Sequence, residues 1–567
     1  MGEYLSPGVY VEEYDNSPRA MEGVGTSMAG FVGMAEKGPS VGAPSLITNY
    51  AGFIKEFGGY LSEFTHGEYR YLAAGVEQFF ANGGTTCYVA RVIPSDAKSA
   101  EKNSGILKIM AANEGKWGNR IQVSIQSVMR KKMQLLSEAE DGGNSYTAKS
   151  VEGFREGDIV FVNDEYNRIL SIFDNIVTFE QPFTGTVTDE ALVPSVVLYL
   201  VEMDLTVRCN DETEEYSSLN FNISSPDYIA FRLKSSELIK VEADEFTETV
   251  NPVEKILGEG NLTGMITLEG GSDGSISNVS AETFIGTDKG PGRRTGIQAF
   301  LENNIVSMMA VPGITIPEVI VSLVSHCENL GSRFAVIDMP KDAAKTDELI
   351  QYRSIIDSTY AAMYHPWIQV FDRSTKKAEY IPPSGAVLGV YSRTDINRGV
   401  HKAPANETIS CTGLKTNYTK GEQDILNPEG INLIRAIAGN GIRIWGARTA
   451  GSNAAFRYVN VRRLFIFVEE SIKANTNWVV FEPNDATLWS RVSMTISSFL
   501  ENLYRNGMLA GNSPEESYFV EIGPSTMTQD DIRNGRLICN VGIAPSRPAE
   551  FVIFRVTQHT AEAGGAQ

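Results

Sequence analysis

A chain of 567 residues that is 42% hydrophobic and 21% charged has the make-up of an ordinary soluble globular protein. It is too long for one simple core, so roughly two to four domains are expected. The formal net charge of -21 argues against a duplex-binding protein, which needs a basic footprint, and suits plain solubility. No apolar run approaches the ~20 residues of a membrane span, so no membrane insertion is expected. The N-terminus has no basic stretch followed by an apolar one, so no signal peptide is expected either. Synthesis and assembly in a cytoplasm fit. Cys87, Cys209, Cys327, Cys411 and Cys539 stand far apart, with no CxxC pair. They read as buried thiols in a reducing compartment rather than a disulfide framework or zinc ribbon.

The opening stretch YLSPGVYVEEYDNSPR predicts a strand. Val9 and Val11 point to one face, Tyr10 and Glu12 to the other. Ser-Pro and Asn-Ser-Pro bound it, and no second strand lies nearby to pair with it. MAGFVGMA then reads as a buried strand, LITNYAGFIKEFGG and YRYLAAGVEQFFANGG as helices, and TTCYVARVI as another buried strand. From about Ser95 to Gly271 the texture turns strand-rich and acidic, predicting a sandwich or small barrel inserted into an α/β scaffold. LEGGSDGS is an exit linker. Strands and helices alternate again from GIQAFLENNIVSMMAVPG to YHPWIQVFD. AVLGVYSRTD is a small-residue helix or strand suited to very close packing. A last unit is expected from Asn427, with strands IRIWGART and NWVVFEP and a long helix from about Asn484 to Met508. The chain nearly ends on AEFVIFRVTQHT, a second terminal strand in which Phe551 and Ile553 alternate with Val552 and Phe554.

No catalytic or cofactor pattern emerges. GVGTSMAG fails the GxGxxG spacing, and GTDKGPGRRTG lacks the order of a P-loop. The five histidines show neither HxH nor HExxH spacing, so no metal site is expected. Asp338 ends a predicted strand, but without a nucleophile elbow or a histidine partner it reads as a loop-capping carboxylate. The chain reads as a non-enzyme with no cofactor.

SPGVYVEE, GFVGMAEKGP, ANGGTTCYVARV, ANEGKWGNRIQVSI, LEGGSDG, FAVIDMP, YHPWIQVFD, PPSGAVLGVYSRTDINRGVHKAPAN, GIRIWGART, RRLFIFVEESI and CNVGIAPSRPAEFVIFRV occur in the order found in contractile tail sheath proteins of phages and phage-tail-like injection systems. The chain resembles that family over nearly its whole length outside about 130–260. The resemblance implies a multidomain mixed fold: an α/β and α+β sheath core, a C-terminal domain that exchanges terminal arms, and an inserted β-rich domain. The expected divisions are an N-terminal arm (1–20), a first part of the core (21–95), the insertion (96–270), a second part of the core (271–426), an inner C-terminal domain (427–545) and a C-terminal arm (546–567).

The resemblance further implies a helical homo-oligomer around an inner tail tube protein, with baseplate and tail terminator proteins as partners and no direct nucleic acid contact. Val9, Tyr10, Val11 and Glu12, with Phe551, Val552, Ile553 and Phe554, would form the strands donated to neighbours. The tethers Asn16–Gly25 and Val541–Pro548 would be the hinges. Arg491 and Arg505 would face the tube. An α/β-scaffold enzyme and another virion structural protein, capsid or adhesin, are the alternatives.

Overall fold

The computed structural model describes residues 21–138, 143–182, 196–372 and 375–553. A nine-stranded sheet lies at its centre. In chain order, its strands and principal covering helices are β1 (Ala29–Met34), β2 (Ser45–Ile47), α1 (Leu72–Ala81), β3 (Cys87–Val92), β4 (Met308–Ala310), α2 (Pro317–Leu330), β5 (Phe334–Asp338), β6 (Ala361–His365), α3 (Ser384–Arg398), β7 (Glu407–Thr408), β8 (Ile431–Ile437) and β9 (Gly441–Ile444). Across the sheet they stand β2-β3-β1-β4-β5-β6-β8-β9-β7. The six strands from β3 to β8 are parallel, and β2, β9 and β7 pair antiparallel at the two sides.

Parallel strands must be covered on both faces, so they read as unbroken apolar runs. Every residue of β1, β5 and β6 is buried accordingly. Alternate residues feed two separate cores. Phe31, Phe334 and Tyr364 join one with α1 and α3; Val32, Ala335 and Met363 join the other with α2. The small residues of α3 pack as their sequence suggests. A Cβ on Gly385 would overlap the carbonyl oxygen of Gly75, and one on Gly389 would overlap that of Phe79, so α3 lies directly against the backbone of α1. Asp338 fixes where α3 starts. Its buried carboxylate accepts from Ser384 N (2.7 Å), Ser384 Oγ (2.6 Å) and Gly313 N (3.0 Å). Burial still pushes that carboxyl up to about 6.

Between β3 and β4 the chain leaves this sheet. A three-stranded and a four-stranded sheet share one core. A closed six-stranded barrel (Lys132–Glu138, Ser145–Ala148, Ile159–Val162, Glu165–Phe173, Ile176–Phe179 and Val197–Leu200) encloses another. The expected sandwich or small barrel thus takes the barrel form, with sheets beside it.

After β9 come α4 (Val459–Asn475), α5 (Ala486–Arg505), β10 (Tyr518–Ile522) and β11 (Cys539–Ile543). Two expectations need correction. The division at 426/427 cuts through hydrogen-bonded neighbours, because Ile431 of β8 is in register with Met363 of β6. The start of β8 is fully buried, as only a strand interior to the main sheet needs to be. Second, NWVVFEP is not a strand. Asn477–Val479 is a single 3₁₀ turn, and Phe481 sits at φ 69 and is 102% exposed. No described strand runs beside this segment, and Pro483 removes a donor that a ladder would need.

Candidate assembly surface

The C-terminal unit is built on α5. Asp485 caps its start by accepting from Thr487 N and Leu488 N, both at 2.9 Å. Leu488, Val492, Ile496, Phe499, Leu500 and Leu503 recur at helical spacing and form its buried face. On that face lies an antiparallel pair, β10 with β11, running in register from Tyr518↔Ile543 to Ile522↔Cys539. Tyr518, Val520 and Ile522 pack toward the core with Cys539, Val541 and Ile543. Phe519 and Glu521 point to the other side. Among the described residues no strand covers either outer edge of the pair. Each outer edge offers a row of backbone donors and acceptors that only another strand can satisfy as a ladder.

The two ends of the described chain leave from one helix, α4. On the N-terminal side, Asn475 Nδ2 donates to Glu22 O (2.8 Å) and Val24 N donates to Ser471 Oγ (3.1 Å). Gly23 lies so close to the Phe467 ring that a Cβ there would collide with it. Arg463 donates to Thr26 O (2.9 Å). The four α4 residues, 463, 467, 471 and 475, are spaced four apart and therefore form one stripe. On the C-terminal side, Asn460 Nδ2 donates to Ser546 O (3.1 Å). The Glu550 carboxylate accepts from Tyr458 Oη (2.9 Å), Arg448 Nε (2.9 Å) and Nη2 (2.7 Å), and Asn427 Nδ2 (2.6 Å). Burial raises that carboxyl, but these donors outweigh it and hold it below the usual carboxylate range.

Of the sequence-predicted strand residues, Val9, Tyr10, Val11, Glu12 and Phe554 lie outside the described residues. Phe551, Val552 and Ile553 are 72%, 67% and 79% exposed, three consecutive apolar side chains in no described strand. The expected hinge at Val541–Pro548 is overturned. Val541 is within β11, Ala544 N donates to Ser517 O (2.8 Å), and Pro545 bridges Leu509. Backbone pairing fixes this tether, whatever its small residues and prolines suggest. The C-terminal half of the other tether, from Met21, is likewise held on α4.

Arg491 and Arg505 lie fourteen residues apart on α5, close to four turns, and so share its outward stripe with Met494 and Ser498. Arg491 stacks on Trp478 at 4.8 Å. Arg505 Nε donates to Glu501 at 2.8 Å, so it is partly neutralised within its own helix. Sequence reasoning placed Glu550 only as the start of a terminal strand, Glu550–Val556, and missed the α4 stripe. The one available signal was the polar pair Arg462-Arg463 in an apolar helix. Arg463 is buried and forms a two-pronged ion pair with Asp395 of α3 (2.9 and 2.6 Å).

Among the described residues the chemistry of catalysis is not gathered anywhere comparable. An apolar cavity of about 380 Å³ lies between residues 24–28 and α4, but Arg463, which lines it, is committed to Asp395. No group of metal-ligating side chains converges among the described residues. No helix among them is long and apolar enough to cross a membrane.

Residues 289–450 match the phage tail sheath protein central domain, and residues 451–559 match the phage tail sheath C-terminal domain. That division follows the sheet, leaving β8 and β9 with the core. The tail sheath protein of Escherichia phage P2 is 25% identical over 50% of this chain and 70% of its own length. That of Enterobacteria phage T4 is 23% identical over 81% of this chain and 65% of its own length. Among solved structures, the sheath complex of an extracellular contractile injection system in its contracted state superposes with a TM-score of 0.53 at 22% identity, covering 99% of each chain. The family is structural rather than enzymatic, which removes the α/β-enzyme alternative. With the ordered sequence motifs, both domain matches and the shared fold, the chain belongs to the contractile tail sheath family.

Proposed function

We propose that this chain polymerises as a helical sheath around an inner tail tube and stores energy in a metastable extended state. Its contraction drives the tube through a bacterial envelope, for genome ejection or for delivery of an effector. The observation that carries this reading is the β10–β11 pair, both of whose outer edges are open among the described residues, on a molecule whose two arm roots are anchored. A strand donated to each edge turns two strands into four, and a stable sheet needs at least three. Because the donor and acceptor surfaces differ, the contact is heterologous and builds an open polymer rather than a closed dimer. Val9–Glu12 and Phe551–Phe554 are the donated strands in this reading. The inserted residues 96–270 form the outer surface. The stripe carrying Arg491 and Arg505 grips an acidic tube, and baseplate and terminator proteins cap the polymer. The particle is a phage tail or a tail-like device assembled in the bacterial cytoplasm.

Electron microscopy of the purified full-length chain tests this: long hollow tubes are expected. Removing residues 1–17 should leave the melting temperature unchanged and abolish the tubes. Normal tubes from the shortened chain would overturn strand donation.

A further inference from the structure

The anchoring of both roots on α4 has a mechanical meaning, if the arms join neighbours as proposed above. We infer that α4 is the tension member of the subunit, carrying load from one arm to the other along its axis. The N-terminal root lies along the stripe Arg463, Phe467, Ser471 and Asn475, and ends at the helix C-terminus. The C-terminal root is clipped at the helix N-terminus, through Tyr458 and Asn460. The clips therefore sit at opposite ends of one continuous helix of 17 residues, about 25 Å at 1.5 Å per residue. Along the chain the roots are more than five hundred residues apart. A pull on the N-terminal arm meets the α4 stripe before it reaches β1, and a pull on the C-terminal arm is met together by Tyr458 and Asn460 at the helix start and by Arg448 and Asn427 beside β8 and β9.

The clips have the chemistry of holding points. Glu550 receives four donors from three side chains belonging to separate segments of the body. These are charge-assisted bonds, roughly twice as strong as neutral ones. At the other root Thr26 is gripped twice: its carbonyl accepts from Arg463 and from Ser307 Oγ (2.6 Å), and its hydroxyl donates to Asp395 (2.7 Å). The Arg463–Asp395 pair, with Arg463 also over the Tyr391 ring at 5.0 Å, joins the helix sideways to α3. A neighbour pulling on an arm thus moves α4 and α3 together. The described parts of both tethers, from Met21 onward and up to Glu550, are thus clipped to the body and are not the hinges expected from sequence.

Glu550→Ala in the full chain tests this, with Glu550→Gln as the milder change and Ser471→Ala/Asn475→Ala at the opposite end. A fluorophore placed at position 552 through an unnatural amino acid reports whether the root is held. Electron microscopy reports whether tubes form with uniform helical rise. Glu550→Ala should increase the local rotational freedom at 552 several-fold, and leave the melting temperature within about 2 °C of wild type. Its tubes should have variable rise or contract without a trigger; the opposite-end double variant should give the same tubes with the label at 552 still held. A label as immobile in Glu550→Ala as in wild type would overturn the clip. A freed root with tubes as regular as wild type would overturn the tension path while leaving strand donation intact. A wild-type chain that forms no tubes would overturn the assembly reading and this inference with it.

Discussion

The nine-stranded sheet and the β10–β11 pair are both antiparallel at their sides, yet they end in opposite ways. The large sheet finishes in β2 and β7, strands of three and two residues, too short to template another chain. Its interior strands are buried on both faces. The small pair has two strands of five residues, one face on α5, both outer edges uncovered among the described residues, and Phe519 exposed on the far face. Among the described residues one sheet is closed off at both sides and the other is left open. In the reading proposed above, the contrast separates the part of the molecule that folds alone from the part that a neighbour completes.

The sharpest way to break that contrast is to add the same methyl group to each. Gly385→Ala drives a Cβ into the Gly75 carbonyl, and neither helix backbone can yield. It should cost about 3 kcal/mol or more, the upper end of overpacking, despite the ~1 kcal/mol that Ala adds to a helix. Gly542→Ala meets only the Phe519 ring, an exposed side chain that can swing away, and should cost less than about 1 kcal/mol in the unassembled chain. Chemical denaturation of both variants measures the difference. Equal losses would mean that the small pair is as constrained as the core.

Comparable in size is the joint between the two regions. Arg463→Met leaves the buried Asp395 carboxylate without its counter-charge, and should destabilise by about 3–5 kcal/mol. Asp395→Leu added to Arg463→Met should recover part of that loss. A full loss that persists in the double variant would show that the Thr26 and Tyr391 contacts, not the ion pair, make the joint.

Acid sharpens the comparison further. Burial holds His326 and His365 down at about 4 and lifts Asp158 and Asp338 to about 6. The histidines stay neutral when folded while the unfolded chain takes up protons below 6.5, so their contribution is lost as pH falls from 6.5 toward 4. The aspartates hold protons when folded from about 6 downward, so theirs is gained over nearly the same range. The two aspartates offset part of the histidine loss, to which His66 and His401, also held down by burial, add. His365→Gln removes one loss, and relative to its own value at pH 7 should be favoured by about 2 kcal/mol over wild type at pH 5. The described C-terminal unit contains no histidine. Urea midpoints against pH decide it; parallel curves for variant and wild type would refute the loss at His365.

The smallest effect on folding is expected on the outward stripe of α5. Arg491→Glu/Arg505→Glu removes exposed contacts that contribute ~0–1 kcal/mol each. Folding should be unchanged and co-assembly with tube protein reduced. Unchanged co-assembly would place the tube contact elsewhere.

Much of the core was legible in the residues themselves. MAGFVGMA, TTCYVARVI and FAVIDMP announce parallel strands because burial on both faces demands continuous apolar runs. The periodic leucines and isoleucines announce α5, and the small residues of AVLGVYSRTD announce close packing without deciding between helix and strand. NWVVFEP shows the limit: its apolar letters suit a strand, but a strand exists only beside a partner, and among the described residues there is none. The same limit hid the partners of Glu550 and the stripe on α4. Glu22 and Asn475, or Glu550 and Arg448, are ordinary polar residues until the fold sets them within 3 Å of each other. Local patterning determines elements because backbone periodicity is local. Which ends are held, which sheet is left open and where load can pass are decided only in three dimensions, because they depend on contacts between residues hundreds of positions apart.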